Sequence, residues 1–141
     1  MRFFFDKEKN SLRDLVQRIA RLCEGLVYIS ETDAPITVFT GGPVDELNSE
    51  SIIAFTRSTC DVRIEDVDFD KFFARLTKKE AWHNDANREQ TRKFLELQKL
   101  LEENLNDLKG FKIGAIRVAI YIVGLDKNNN VIGLKTDAVE T

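Results

Sequence analysis

Residues 118–123, VAIYIV, form a continuous apolar run near the end of this 141-residue chain. Because successive side chains of a strand point to opposite faces, Ala119, Tyr121 and Val123 share one face of the predicted strand. The other face carries four aliphatic side chains: Ile116, Val118, Ile120 and Ile122. A strand that is apolar on both faces is usually covered on both, so this run predicts the centre of a sheet.

A turn and a second apolar run follow directly. Gly124 and the segment 126–130, DKNNN, supply residues that tolerate the left-handed backbone of tight turns. The apolar pattern restarts at 131–134, so the two runs predict an antiparallel hairpin. Its second strand leads straight to 139–141, VET, and we therefore expect the C-terminus to be a held projection.

The rest of the chain predicts helices and short strands around that hairpin. Helices are predicted at 11–25, 49–55, 69–76 and 85–108, and strands at 36–39 and 60–67, with 26–29 left as either a helical extension or a strand. Ser11 is the expected cap of the first helix, and Asp68 or Asp70 that of the third. This order predicts the α+β class: an α/β/α sandwich with a mostly antiparallel sheet and helices on both faces. Residues 1–10 are interpreted as an N-terminal extension and 11–141 as one domain.

Charge is distributed unevenly along the chain. The net charge is −3, but residues 31–70 hold ten acidic residues against two arginines, which gives −8 there and +5 elsewhere. Such asymmetry indicates either a basic partner or simple solvation. It argues against direct binding of nucleic acid, which favours a basic stripe.

The two cysteines and the apolar runs predict a cytoplasmic protein. Cys23 and Cys60 each lie in an apolar-patterned element without a CxxC spacing, so we expect buried, reduced thiols. The opening MRFFFD at 1–6 is too short and too soon charged for a signal peptide. No apolar run is long enough to span a membrane, so no membrane partner is expected.

The sequence offers little for catalysis. His83 is the only histidine, and it lies in a polar stretch typical of a surface residue. A Cys-His dyad would require Cys23 or Cys60 to leave its apolar face. The segment 66–70, DVDFD, superficially suggests a cation site but lacks the glycine and distal glutamate of an EF-hand, so a helix cap is the preferred interpretation. We assign no catalytic residue, and we expect no cofactor and no metal site of its own.

Oxygen donors and one aromatic residue remain as candidate contacts. Glu140 and the Thr141 carboxylate and hydroxyl gather at the end of a predicted strand, and Glu31 lies in a polar loop. Trp82 lies in a polar connection, where it either anchors an interface or packs the long helix on the sheet. From these residues alone, the chain reads as an acidic protein-interaction module.

Several blocks of the chain, in order, resemble the nuclease A inhibitor family (NuiA-like). They are 25–31 (GLVYISE), 35–36, 38–39, 67–77 (VDFDKFFARLT), Trp82, 94–101 (FLELQKLL), 114–124, 133–136 (GLKT) and 139–141 (VET). The resemblance covers roughly residues 12–141. It implies an α/β/α sandwich that inhibits a sugar-non-specific DNA/RNA endonuclease by occupying its metal-containing active-site cleft.

The resemblance also implies where the partner binds. Glu31, Trp82 and Thr141 match the family's contacts, and Glu140 adds a carboxylate beside the terminus. Thr141 would approach the nuclease's catalytic cation, and Glu31 would face basic residues that otherwise hold DNA phosphate. Ala81 stands where an acidic residue is expected just before Trp82.

Three hypotheses follow from these residues. The first is an endonuclease inhibitor; the second is an interaction module of the same fold with a non-nuclease partner; the third is an enzyme. The phenylalanine-rich residues 1–9 are interpreted as a strand or packing flap, or alternatively as a self-association or partner patch. The sequence leaves the oligomeric state open.

Overall fold

The computed structural model describes residues 2–29, 33–56, 63–77 and 85–139. Four helices and seven strands make up these ranges. The helices are α1 (Arg2–Cys23), α2 (Ser49–Thr56), α3 (Phe69–Leu76) and α4 (Asp85–Asn104). The strands are β1 (Val27–Ile29), β2 (Asp33–Pro35), β3 (Thr37–Pro43), β4 (Ile64–Val67), β5 (Asn106–Gly114), β6 (Arg117–Leu125) and β7 (Asn130–Val139).

The main sheet has five antiparallel strands in the order β3-β7-β6-β5-β4. The predicted hairpin is β6–β7, and β6 is the middle strand, as its two apolar faces require. Asp126 holds the turn, since its carboxylate accepts hydrogen bonds from the backbone N–H groups of Asn128 at 2.8 Å and Asn130 at 2.9 Å. The prediction of a central antiparallel hairpin is confirmed.

One face of the sheet packs against three helices. Val118, Ile120 and Ile122 of β6 join a buried cluster with side chains from α1, α3 and α4. The largest fully buried member from α3 is Phe73, which makes a T-shaped contact with Phe72 at 5.4 Å between ring centroids. Burial of these apolar side chains is the main force that holds the helices on this face.

The other face packs against α2 and the segment that leads into it. Tyr121 and Val123 of β6 lie in a second buried cluster with Leu47 and Ile52. Asn48 caps α2, because its side-chain oxygen accepts a hydrogen bond from the Ser51 N–H at 2.9 Å. The α+β class is confirmed. In the described part of the chain the second helical layer consists of α2 alone, so the sandwich arrangement stays a prediction.

β1 and β2 form a separate two-stranded antiparallel sheet, here called the side hairpin, which comprises residues 27–29 and 33–35. Tyr28 and the flanking residues Leu26 and Ile36 are buried in the first cluster. The side hairpin therefore lies on the face of the sheet that packs against α1, α3 and α4. Pro35 is the last residue of β2. It pairs there with Val27 in a two-stranded ladder, where a residue without a backbone N–H is tolerated.

Two predicted helix ends are wrong. α1 begins at Arg2 and not at a Ser11 cap, so the part of residues 1–9 that is described is helical and not a strand. α4 ends at Asn104 and not at Leu108, because residues 106–114 pair with β6 as β5. Asp107 of β5 has a left-handed backbone, with φ of 56°, and lies where the register of β5 against β6 shifts, between Asn106 and Lys109.

Three other predictions are confirmed within the described residues. α2 matches the predicted helix, and β4 occupies the end of the predicted strand at 60–67. Asp68 caps α3: its Oδ1 accepts a hydrogen bond from the Lys71 N–H at 2.9 Å. The 66–70 segment is thus the predicted strand-to-helix cap.

Candidate functional site

The four predicted contacts, Glu31, Trp82, Glu140 and Thr141, lie outside the described residues, as do Cys60 and His83. The elements that lead into them are described. β1 and β2 flank residues 30–32, α3 and α4 flank residues 78–84, and β7 precedes residues 140–141. The geometry of these flanking elements therefore determines where the candidate site can form.

β7 ends at one end of the sheet, here called the contact end. Its last described residue, Val139, pairs with Arg117, the first residue of β6. Gly114, the last residue of β5, lies at the same end, because it pairs with Val118 and its N–H donates to the Arg63 carbonyl at 2.8 Å. The contact end is thus built from the last residues of β5 and β7 and the first of β6.

The side hairpin points to the contact end. Thr37 of β3 pairs antiparallel with Lys135, so the chain before Thr37 runs alongside the last residues of β7. The Thr136 hydroxyl donates a hydrogen bond to the Pro35 carbonyl at 3.0 Å, which ties β7 to β2. Asp33 and Ile29, which flank residues 30–32, therefore lie towards the C-terminal end of β7.

α4 also begins near this end. Its first turns are tied to the end of α1 by two hydrogen bonds: Lys93 Nζ donates to the Glu24 carbonyl at 2.8 Å, and Gln90 Nε2 donates to the Gly25 carbonyl at 3.3 Å. Leu105 alone joins α4 to β5, so the end of α4 lies beside the start of β5, at the end of the sheet opposite the contact end. The start of α4 consequently lies towards the end where β5 finishes.

α3 packs against the side hairpin on the same face of the main sheet. The rings of Tyr28 in β1 and Phe72 in α3 stack at 5.8 Å with an interplanar angle of 4°. Thr77 closes α3, since both its N–H and its hydroxyl donate to the Phe73 carbonyl, at 3.0 Å and 2.8 Å. The side hairpin thus contacts two of the elements that flank predicted contact residues, α3 and β7.

The described surface of the contact end carries charged side chains and one large exposed apolar side chain. Asp33, Asp137 and Arg117 are exposed, and so is Ile116, at 61%. The pKa of Tyr121 is raised first by burial and then by the negative charge of Asp137. Charged side chains around an exposed apolar one are compatible with a protein–protein interface, which has an apolar core and a polar rim.

Cys23 is unsuited to nucleophilic chemistry. It is buried at the end of α1, and burial raises the pKa of its thiol to about 12. The thiolate, which is the reactive form, is therefore almost absent at neutral pH. The prediction of a buried, unpaired thiol is confirmed for Cys23.

Sequence patterns did not reveal the bonds that hold the side hairpin. Thr136 stands in an apolar strand, where a threonine is expected for its β-branched shape alone. The partner, Pro35, contributes only a backbone carbonyl, which has no signature in sequence. The one available signal was a hydroxyl at a position whose neighbours on the same face, Leu134 and Ala138, are apolar.

A comparison with protein families gives a match over nearly the whole chain. The matching family is described as NuiA, nuclease A inhibitor-like protein, and the match covers residues 13–141. No curated protein matches the sequence significantly. None of the described helices is long and apolar enough to cross a membrane. The family match covers every strand of both sheets and α2 to α4, and on this ground the chain belongs to the nuclease A inhibitor-like family.

Proposed function

We propose that this protein inhibits a sugar-non-specific DNA/RNA endonuclease by occupying its metal-containing active site. Membership of a nuclease A inhibitor-like family supports a nuclease as the protein partner and a non-catalytic role for this chain. The specific endonuclease class and the binding mode are our inference from the residues around the contact end. The cytoplasmic location stays a prediction.

The observation that carries the proposal is the support of β7 up to the contact end. β7 pairs with β6 through Val139 and with β3 through Lys135, so the strand is held on both edges over much of its length. A terminus that projects from a fixed strand loses little conformational freedom on binding, which favours affinity. The two residues after Val139 are the proposed plug.

The chemistry of the plug follows from its oxygen atoms. In the proposed complex, the carboxylate and hydroxyl of Thr141 approach the divalent cation of the nuclease, since hard cations prefer oxygen ligands. Glu31 faces basic side chains that otherwise hold DNA phosphate, and Glu140 adds a second carboxylate. Trp82 supplies an aromatic anchor beside these charges. The protein itself needs no metal or cofactor in this role.

The test is a nuclease assay with a non-specific endonuclease from the same cell and its divalent cation. Intact protein should inhibit, and deletion of Thr141 or the change Glu31→Gln should raise the inhibition constant about tenfold or more, because each leaves partner charges unpaired. Inhibition should also weaken as salt increases.

Lys127→Ala is the matched control, because Lys127 is exposed in the β6–β7 turn at the opposite end of the sheet. Equal weakening by this control and by Glu31→Gln would contradict a specific contact end. Lack of inhibition by intact protein would favour an interaction module with a non-nuclease partner.

A further inference from the structure

We infer that Thr136 is a positioning residue that sets the spacing between the Glu31 loop and the C-terminal plug. This inference rests on the proposed function and adds to it a residue outside the predicted contacts. Thr136 lies five residues before the terminus, and the Pro35 carbonyl it binds lies four residues after Glu31. One hydrogen bond thus joins the two strands that carry the two proposed contacts.

The donor of this bond is buried, although its acceptor residue, Pro35, is exposed. Thr136 is 4% exposed, and it is one of two buried polar residues in the described part of the chain, with Thr91 of α4. The distance from its Oγ1 to the Pro35 carbonyl oxygen is 3.0 Å. Because the Thr136 side chain is buried, loss of this partner would leave its hydroxyl with an unsatisfied donor, so the bond favours one placement of β2 against β7.

The backbone ladders alone do not fix this spacing. β3 pairs with β7 from Thr37 and Lys135 to Pro43 and Asn130, so this pairing stops before β2. β1 and β2 pair with each other in a sheet that is separate from the main one. Among the described residues, a hydrogen bond from the Thr136 hydroxyl to the Pro35 carbonyl joins β7 to β2.

Thr37 provides an internal comparison for this bond. Its hydroxyl also donates to a backbone carbonyl across the β3–β7 pair, that of Lys135, but at 3.4 Å and in an exposed position. Lys135 and Thr136 are consecutive in β7, so their side chains lie on opposite faces. The two threonines therefore make the same type of bond at the same place, and only that of Thr136 reaches the side hairpin.

The experiment measures inhibition and unfolding for three variants of the full chain: Thr136→Val, Thr136→Ser and Thr37→Val. Valine keeps the shape of threonine and removes the donor, whereas serine keeps the donor. Calculated per folded molecule, Thr136→Val should raise the inhibition constant about fivefold, the effect of one hydrogen bond. Thr136→Ser and Thr37→Val should change it by less than about twofold.

A second arm separates positioning from a purely structural role. Glu31→Gln is measured in the wild-type protein and in Thr136→Val. If Thr136 positions the loop, the penalty of Glu31→Gln should fall from about tenfold to about threefold in Thr136→Val, because the contact is already misplaced. The same penalty should be unchanged in Thr37→Val. If the valine variant does not fold, Thr136→Ala removes the same donor and is tested in its place.

The outcomes distinguish the two proposals. An unchanged inhibition constant for folded Thr136→Val, or an unchanged Glu31→Gln penalty in it, would overturn the positioning role. The proposed function would survive that result if deletion of Thr141 still weakened inhibition. Failure of the intact protein to inhibit any non-specific endonuclease of the cell would overturn both.

Discussion

The β6–β7 hairpin and the side hairpin are built from the same kind of structure but are held in place differently. β6 is apolar on both faces, and each face lies in its own buried cluster. Among its described side chains the side hairpin has one that is buried, that of Tyr28, which stacks on Phe72, and it is joined to β7 by the Thr136–Pro35 hydrogen bond. The centre is thus stabilised by apolar burial, whereas the side hairpin, which flanks the proposed contact loop, is placed by individual contacts.

The largest difference should appear when a central side chain is shortened. Ile122 is 1% exposed in the first cluster, so Ile122→Ala removes buried methyl groups and leaves a cavity. We expect a loss of about 3 kcal/mol in the free energy of unfolding, measured by urea denaturation. Leu95→Ala is the control, because Leu95 is 47% exposed on α4 and should cost less than about 1 kcal/mol. Equal losses would contradict the assignment of the core.

A smaller effect is expected when the side hairpin is loosened. Tyr28→Leu removes the stack on Phe72 but keeps an apolar side chain, and we expect a loss of about 1.5 kcal/mol in the free energy of unfolding. Hydrogen exchange at the Ile36 amide, which donates to the Leu26 carbonyl at 3.1 Å, should accelerate more than exchange within β6. Tyr28→Phe keeps the ring and should leave both measurements near wild type. Uniform acceleration over the whole sheet would show that the two regions unfold together.

The smallest effect concerns Cys23, which lies just before the side hairpin. Burial raises the pKa of its thiol from 9.0 to about 12, so above pH 9 the unfolded chain releases a proton that the folded chain keeps. The contribution of the buried thiol to the free energy of unfolding is therefore fully present below about pH 9. It is lost as pH rises towards 12, by about 1 kcal/mol at pH 10. Cys23→Ala lacks this proton. From pH 8 to pH 10, the unfolding free energy of the wild-type protein should therefore fall by about 1 kcal/mol relative to that of Cys23→Ala. A constant difference over that range would contradict the prediction.

The same contrast explains which features the sequence could predict. The two apolar faces of 118–123, the DKNNN turn and the Asp68 cap are local patterns with one favoured structure, and all three are confirmed. The end of α4 is different, because Leu105 and Leu108 continue the helical spacing of the preceding leucines. There the pairing of β5 with β6 overrides the periodicity. Helical spacing does not show where pairing with a distant strand begins.

The candidate site was less accessible to sequence reasoning than the fold. Glu31, Trp82, Glu140 and Thr141 came from oxygen donors, an isolated aromatic residue and a family resemblance, and they stay predictions. The family itself is confirmed. The Thr136–Pro35 bond joins residues 101 positions apart, and such a contact cannot be inferred from a local pattern.

The two outer strands of the main sheet have a consequence for the protein in a crowded cell. β4 carries two adjacent carboxylates, Glu65 and Asp66, and β3 ends in Gly41-Gly42-Pro43, where its register against β7 shifts. Charge, irregular register and proline each discourage a further strand from adding to an open edge. Strand addition at these edges is therefore disfavoured, which protects the protein against edge-to-edge aggregation at high concentration.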